Sequence, residues 1–184
     1  VLGKQWVGCS ADKQFNSAYL YDEKATVSVL SIQSDYLHFG VGVAEGYRKN
    51  PVKSAIKATE EAIKNLKADK DLDSYIQFSR IKKQEYNKIV KNPPYFILTF
   101  VSGAEFEKGK SSPGNEIEFL HGILQYLGPH IPVFGAGAGS DFEDYLYKGK
   151  GKNYQFAGGK TYTNAGVVVF AISNLAFTNV VKHG

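Results

Sequence analysis

Polar and apolar residues alternate in several parts of the chain with the two-residue period of half-buried strands. Residues 25–33 and 37–44 show this pattern. Within the second stretch, Gly40 and Gly42 share one face, which indicates either a bulge or the close approach of another group. Residues 95–102 are almost entirely apolar, as in a strand covered on both faces. These stretches predict the strands of a central sheet.

Apolar residues recurring at three- and four-residue steps predict two helices. Asn50-Pro51 supplies a cap and a first helical residue for the first helix, and Asn115 is expected to cap the second, which stops at Gly128-Pro129. The stripe of the first helix is Val52, Ala55, Ile56, Thr59, Ala62, Ile63 and Leu66, and that of the second is Ile117, Leu120, Ile123, Leu124 and Leu127. The polar residues 68–92 between them predict a surface connection.

Short strands and glycine turns dominate the C-terminal part. A strand at 133–134 leads into a glycine-rich turn at 135–141, and a strand at 154–156 is followed by a hairpin turn at Gly158-Gly159. A long strand is predicted next and a last one after it, at residues 160–173 and 176–182. The polar residues 12–24 near the start of the chain predict a loop or a short helix.

The two ends of the chain resemble each other. Residues 7–11 (VGCSA) correspond to residues 134–138 (FGAGA), and the strand at 25–32 corresponds to 165–172. The sequence therefore predicts an internal repeat.

The predicted fold class is α/β in the mixed α+β sense. It consists of one domain, residues 1–184, with two β-rich halves around a mixed sheet and two main helices packed on it. The halves are residues 7–46 and 134–184, joined by a helix–strand–helix segment at 50–128.

Four features together resemble the N-terminal FIST domain, a family of sensory modules of signal-transduction proteins. They are the turn at residues 7–11, the strand and helix at 95–127, the second glycine turn at 135–141, and the run from Tyr154 through Gly158-Gly159 and 165–173 to His183-Gly184. The sequence departs from the family at Ala11-Asp12-Lys13, where members often carry a threonine and an acidic residue. The resemblance implies a ligand-sensing input domain for small molecules such as amino acids, coupled to an output signalling domain.

Composition narrows the class of protein further. The chain is 43% apolar and 22% charged, which excludes a disordered protein. No apolar run approaches the length of a membrane helix, and the single cysteine excludes a fold held together by internal disulfides. Because the chain contains no methionine and opens on Val1, we expect a domain excised from a longer polypeptide. We expect this domain to be cytoplasmic.

The net charge of +4 raises the question of nucleic-acid binding. Only Arg48 and Arg80 are arginines, whereas nucleic-acid readers favour the bidentate guanidinium fork. The excess positive charge lies in residues 48–91 and is typical of a solvated lysine-rich face. We therefore expect neither nucleic acid nor a membrane surface as a partner of this chain.

Alternating glycines at 135–141 leave backbone N–H groups exposed, so this turn either faces an anionic ligand or serves only close strand packing. Aromatic residues near both glycine turns are typical of small-molecule pockets, and Arg48 is a candidate to bind a ligand carboxylate. The predicted ligand-binding residues are Cys9, Ser10, Arg48, Gly135, Gly137, Gly139, Asp141, Tyr154 and Phe156. Histidine and acidic spacings fit no metal site, and we expect no cofactor.

The favoured function is a non-enzymatic sensor of an amino acid or a similar small anion. One alternative is a hydrolase or transferase with Cys9 as nucleophile and the amides of residues 8–11 as oxyanion site. A buried structural role and a pocket-lining role also remain open for Cys9. Another alternative is a protein-interaction module in which residues 48–91 dock an acidic partner.

Overall fold

A computed structural model describes residues 6–11, 14–15, 20–21, 27–35, 37–66, 95–107, 110–140 and 147–173. Within these ranges the chain forms two helices, α1 (Pro51–Asn65) and α2 (Glu116–Leu127). The strands are β1 (Val7–Cys9), β2 (Gln14–Phe15), β3 (Leu20–Tyr21), β4 (Leu37–Glu45), β5 (Tyr95–Ser102), β6 (Glu105–Glu107), β7 (Lys110–Ser112), β8 (Val133–Ala138), β9 (Lys150–Gly151), β10 (Gln155–Ala157), β11 (Lys160–Tyr162) and β12 (Ala165–Ser173). The predicted mixed α/β class is confirmed.

The largest sheet has the strand order β4-β12-β5-β8. Strand β12 pairs antiparallel with β4 on one side and with β5 on the other, whereas β5 and β8 run parallel. The central strand is almost completely buried because both of its faces and both of its edges are covered. The long strand predicted over residues 160–173 is interrupted at Asn164, whose φ of 59° turns the chain between β11 and β12.

Both helices begin and end close to where the sequence predicts. The Asn50 side chain accepts a hydrogen bond from the Lys53 N–H at 3.0 Å, and Pro51 is the first helical residue of α1. Helix α2 follows Asn115 and ends at Gly128, whose φ of 98° is poorly compatible with a side chain. Asn50 and Pro51 mark the start of α1 and Gly128 marks the end of α2, but the Asn115 side chain makes no capping hydrogen bond with the described residues, so the capping role predicted for it is not seen.

Helix α1 lies directly on strand β4. A Cβ atom on Gly40 would collide with the carbonyl oxygen of Ala62, and one on Gly42 would collide with that of Ala58. Of the two readings of these glycines, the close approach of another element is correct. The helix buries most of its predicted stripe, with Ala55, Thr59, Ala62 and Leu66 inside.

The predicted stripe of α2 is partly wrong. Ile117 and Leu120 are 69% and 37% exposed, whereas Phe119 and Gly122 are buried. Gly122 permits this arrangement, because a Cβ there would lie only 2.7 Å from the Ala55 methyl carbon of α1. The buried face of α2 therefore combines Phe119 and Ile123 with the small residue Gly122, and it leaves Ile117 and Leu120 outside.

The strand predicted over residues 25–33 is also wrong for residues 27–33, which pair with no strand among the described residues. Val27 and Leu30 are 85% and 83% exposed. Strand β4, the next strand along the chain, pairs with β12 along one edge, and side chains of α1 form hydrogen bonds with part of its other edge. There the Glu61 carboxylate accepts the Val43 N–H at 3.0 Å, and the Asn65 amide donates to the Val41 carbonyl at 2.9 Å.

Three smaller sheets complete the described structure: β1-β10-β11, β7-β6-β9 and β2-β3. The predicted hairpin turn joins β10 and β11, with φ values of 58° at Gly158 and 84° at Gly159. Strand β1 pairs with β10 while β8 pairs with β5, so the two glycine segments that the predicted repeat equates lie in different sheets. Residues 12–13, 67–94, 141–146 and 174–184, including the strand predicted at 176–182, lie outside the described residues.

Candidate ligand-binding site

The carboxyl ends of β5 and β8 lie side by side, because these two strands run parallel and Ser102 is in register with Ala138. Both strands are followed by a glycine, Gly103 and Gly139. In open α/β sheets, ligands bind beyond the carboxyl ends of parallel strands. A ligand site is therefore expected at this edge of the sheet.

Ser10 joins three segments at this edge. Its N–H donates to the Tyr154 carbonyl at 2.9 Å, and its hydroxyl accepts the Tyr154 N–H at 2.9 Å. The same hydroxyl donates to the Gly139 carbonyl at 2.6 Å, and the Gly139 N–H donates to the Ser10 carbonyl at 2.9 Å. Ser10, Gly139 and Tyr154, predicted separately from the sequence, are thus in direct contact.

Arg48 lies in the turn between β4 and α1, and its guanidinium reaches the loops that follow β5 and β7. Its Nη1 donates to the Ser112 hydroxyl at 3.0 Å and to the Pro113 carbonyl at 3.1 Å. Its Nη2 donates to the Gly103 carbonyl at 2.6 Å and lies 3.4 Å from the Ser102 hydroxyl. These contacts fix the guanidinium beyond the carboxyl end of β5.

Glu105 provides the carboxylate closest to this guanidinium among the contacts described, with Oε2 3.3 Å from Nη2. The Arg48 side chain is 17% exposed and that of Glu105 is 26% exposed, so the pair lies partly inside the protein. The Nε of Arg48 is buried and has no hydrogen-bond partner among the described residues. A buried donor without a partner is costly, which marks Nε as a place where an acceptor would be favourable.

A buried chain of amides continues from this position. The Ser102 hydroxyl donates to Asn153 Oδ1 at 2.8 Å, and the Gln155 amide donates to the same oxygen at 3.2 Å. Asn153 Nδ2 donates to the Gly103 and Ala104 carbonyls at 3.2 and 3.0 Å. All three side chains are fully buried, and their mutual hydrogen bonds hold the loop after β5 in place.

A family model, the FIST N domain, matches residues 2–184. The chain belongs to the FIST N domain family. FIST domains are sensory domains of signal-transduction proteins. No curated protein and no solved structure matches the chain.

In this FIST domain, Cys9 and Phe156 lie on the paired strands β1 and β10. Cys9 is in register with Gln155, and the Phe156 ring packs 6.1 Å from that of Trp6. Burial raises the pKa of the Cys9 thiol above its ordinary value of 9.0. A raised pKa lowers the thiolate fraction near neutral pH, and thiolate is the form that a nucleophilic cysteine requires.

Gly135 and Gly137 of the FIST domain lie within strand β8 rather than in a turn, which corrects the predicted start of the turn at residue 135. A Cβ on Gly135 would collide with Thr99 of β5, and one on Gly137 would approach the Glu116 carboxylate at 2.7 Å. Close packing against the β5 backbone therefore explains the small residue at 135, whereas the atom nearest to a Cβ at 137 belongs to the flexible, exposed side chain of Glu116. Asp141, the last predicted site residue, lies outside the described residues.

Tyr47 lies next to Arg48 and connects the turn between β4 and α1 to helix α2. Its hydroxyl accepts the Asn115 N–H at 2.7 Å, and its ring, fully buried, packs 5.6 Å from that of Phe119. Burial raises the pKa of Tyr47 to about 12; the Glu116 and Glu118 carboxylates add to the rise, while the Asn115 N–H and Arg48 oppose it. The side chain is therefore neutral at physiological pH.

Sequence reasoning missed Ser102, Glu105, Asn153 and Gln155. The available signal was the polar pair Asn153 and Gln155, which alternates with the aromatic residues Tyr154 and Phe156. The described residues contain no group of three or more side chains suited to bind a metal ion, and no helix in the described ranges is long and apolar enough to cross a membrane.

Proposed function

We propose that this FIST domain is a non-enzymatic, cytoplasmic input domain that binds a small anionic molecule, an amino acid or a close relative. The observation that carries the proposal is the Arg48 guanidinium, held beyond the carboxyl end of β5 with a buried Nε that has no partner in the described part of the chain. A carboxylate is the natural partner of such a fork of donors. The bound state would be passed to an output signalling domain in the longer protein.

In this proposal Arg48 binds the ligand carboxylate, and the junction around Ser10 forms the neighbouring wall. Tyr154 supports that role because its side chain is 38% exposed beside the junction. The remaining proposed ligand residues are Cys9, Gly135, Gly137, Gly139, Asp141 and Phe156. Since the Gly139 N–H already donates to Ser10, the anion-binding role falls to Arg48 rather than to the glycine backbone.

The proposal includes no catalytic residue. Cys9 is a poor nucleophile, because burial raises its pKa and it lies on a paired strand. Nucleic acid is not proposed as a partner, because Arg48 and Arg80 are the only arginines and the excess positive charge lies in the lysine-rich residues 48–91. Membrane contact is not proposed either.

Calorimetry of the purified chain against the proteinogenic L-amino acids, acetate and succinate tests the proposal. We expect saturable binding of at least one of these compounds. Arg48→Lys keeps the positive charge but loses the fork, so affinity should fall roughly tenfold, as for the loss of a charged hydrogen bond. Lys53→Gln, an exposed position on α1, is the matched control and should bind normally. Absence of any binding to the folded chain would contradict the proposal.

A further inference from the structure

We propose that Glu105 occupies the position at Arg48 that a ligand carboxylate takes, so that ligand and Glu105 compete for the same guanidinium. This inference rests on the proposed function, because it assumes that a carboxylate is what the site recognises. In this arrangement the protein's own carboxylate competes with the ligand, and this competition lowers the affinity of Arg48 for the ligand.

The first support is the crowding of acceptors around one nitrogen. Nη2 of Arg48 carries two protons but faces three oxygens: the Gly103 carbonyl at 2.6 Å, Glu105 Oε2 at 3.3 Å and the Ser102 hydroxyl at 3.4 Å. The Gly103 carbonyl takes the short hydrogen bond. Glu105 is therefore held at the long end of hydrogen-bond distance, mainly by its charge.

The second support is the donor that Glu105 leaves unused. The N–H of Nε and one N–H of Nη2 point the same way and together form a fork that matches the two oxygens of a carboxylate. Glu105 Oε2 lies 3.3 Å from Nη2, whereas Nε is buried without a hydrogen-bond partner among the described residues. A ligand carboxylate that replaced Glu105 and reached Nε would bond to both nitrogens, and this bidentate pair would be stronger than the single contact of Glu105.

The third support is that Glu105 can leave. About a quarter of its side chain is exposed, so release into water does not strand a buried charge. Glu105 is also the first residue of β6, which pairs with β7 and β9. Exchange of Glu105 for a ligand would remove one of the contacts between the β6–β7 hairpin and Arg48. The position of the hairpin would then depend on whether the site holds a ligand.

The chain contains only Arg48 and Arg80, so an NMR spectrum of arginine Nε–Hε groups shows two signals that Arg80→Lys assigns. Acetate is the probe, titrated at constant ionic strength against chloride. We expect the Arg48 signal to shift on binding, and Glu105→Gln to tighten acetate binding about fivefold, since a partly exposed ion pair is a weak competitor. Glu105→Asp, one methylene shorter, should lie between the two.

Glu60→Gln removes an exposed carboxylate from α1 and is the matched control, which should leave acetate binding unchanged. Equal acetate affinities in the wild type and Glu105→Gln, or an Arg48 signal that moves in neither, overturn the inference. Failure of the proposed function has a different signature. In that case calorimetry of the wild type finds no ligand among the amino acids, acetate and succinate, while Glu105→Gln still gains acetate binding at Arg48.

Discussion

Tyr47 and Arg48 are neighbours in the turn after β4, yet their side chains stabilise different parts of the domain. Tyr47 points into the core and binds the backbone at the start of α2, while Arg48 binds the loops that follow β5 and β7. Two consecutive residues thus connect the helical layer with the edge of the sheet where the proposed ligand binds. A substitution at either residue is therefore expected to affect both the start of α2 and the proposed ligand site.

The ionisation of Tyr47 predicts a specific dependence of stability on pH. An unfolded tyrosine loses its proton near pH 10, whereas the folded Tyr47 has a pKa of about 12. As the pH rises above 10 the unfolded state therefore loses this proton first, and the folded state loses stability by about 1.4 kcal/mol per pH unit until the folded pKa is reached.

Tyr47→Phe removes both the hydroxyl and this titration. At pH 7 we expect the variant to be about 1 kcal/mol less stable, because the Asn115 N–H loses its acceptor. Above pH 10 the wild type loses stability through this titration and the variant does not. The free energies of unfolding of the two proteins, measured by urea denaturation, should therefore converge as the pH rises and cross before pH 12. A difference that stays constant from pH 7 to 12 would show that Tyr47 titrates normally.

Residue types near the site were predictable in part. Ser10, Gly139 and Tyr154 adjoin glycine turns or aromatic clusters, which are visible in sequence, and the structure joins them by hydrogen bonds. Asn153 and Gln155 were missed because a polar residue at every second position of a strand normally faces water. Here their partners come from the end of β5, a distant segment, so only the tertiary fold reveals the pairing.

At the level of elements, glycine decides how closely the layers pack. Gly40 and Gly42 let the backbone of α1 rest on β4, Gly122 does the same between the helices, and Gly166 lies under the Phe119 ring. Helix bounds and strand glycines were predictable because caps and close approaches have local signatures. The buried face of α2 and the absence of strand pairing at residues 27–33 among the described residues were not predictable. Both depend on which distant element packs against the segment, and the local sequence does not show this.

Gly42→Ala is expected to destabilise the fold, because its Cβ would collide with backbone atoms of α1 that cannot move independently. Forcing the helix away from the strand should cost roughly 1–3 kcal/mol of the free energy of unfolding, as overpacking of a core does. Gly8→Ala on β1 is the matched control: a Cβ there would meet no described atom within 4 Å, so its stability should match that of the wild type. Urea denaturation of the two variants measures the difference, and equal loss in both would refute the packing argument.

At the scale of the whole molecule, the predicted repeat equates two segments with different environments. Residues 25–32 and 165–172 share alanine, valine and isoleucine at matching positions. The second segment forms β12, the central strand of the largest sheet, while residues 27–32 of the first pair with no strand among the described residues. Similar sequences therefore contribute differently to stability, since burial and not composition sets the hydrophobic gain.

Val29 and Val169 are equivalent positions of the predicted repeat, and they make this difference measurable. Val29 is 60% exposed and Val169 only 4% exposed. Val169→Ala should reduce the free energy of unfolding by roughly 1.5–3 kcal/mol, the value of burying a valine side chain, while Val29→Ala should change it by less than about 0.5 kcal/mol. Comparable losses in the two variants would mean that residues 27–33 are buried in solution, against a neighbour that the described fold does not include. A negligible loss in Val169→Ala would contradict the central position of β12 itself.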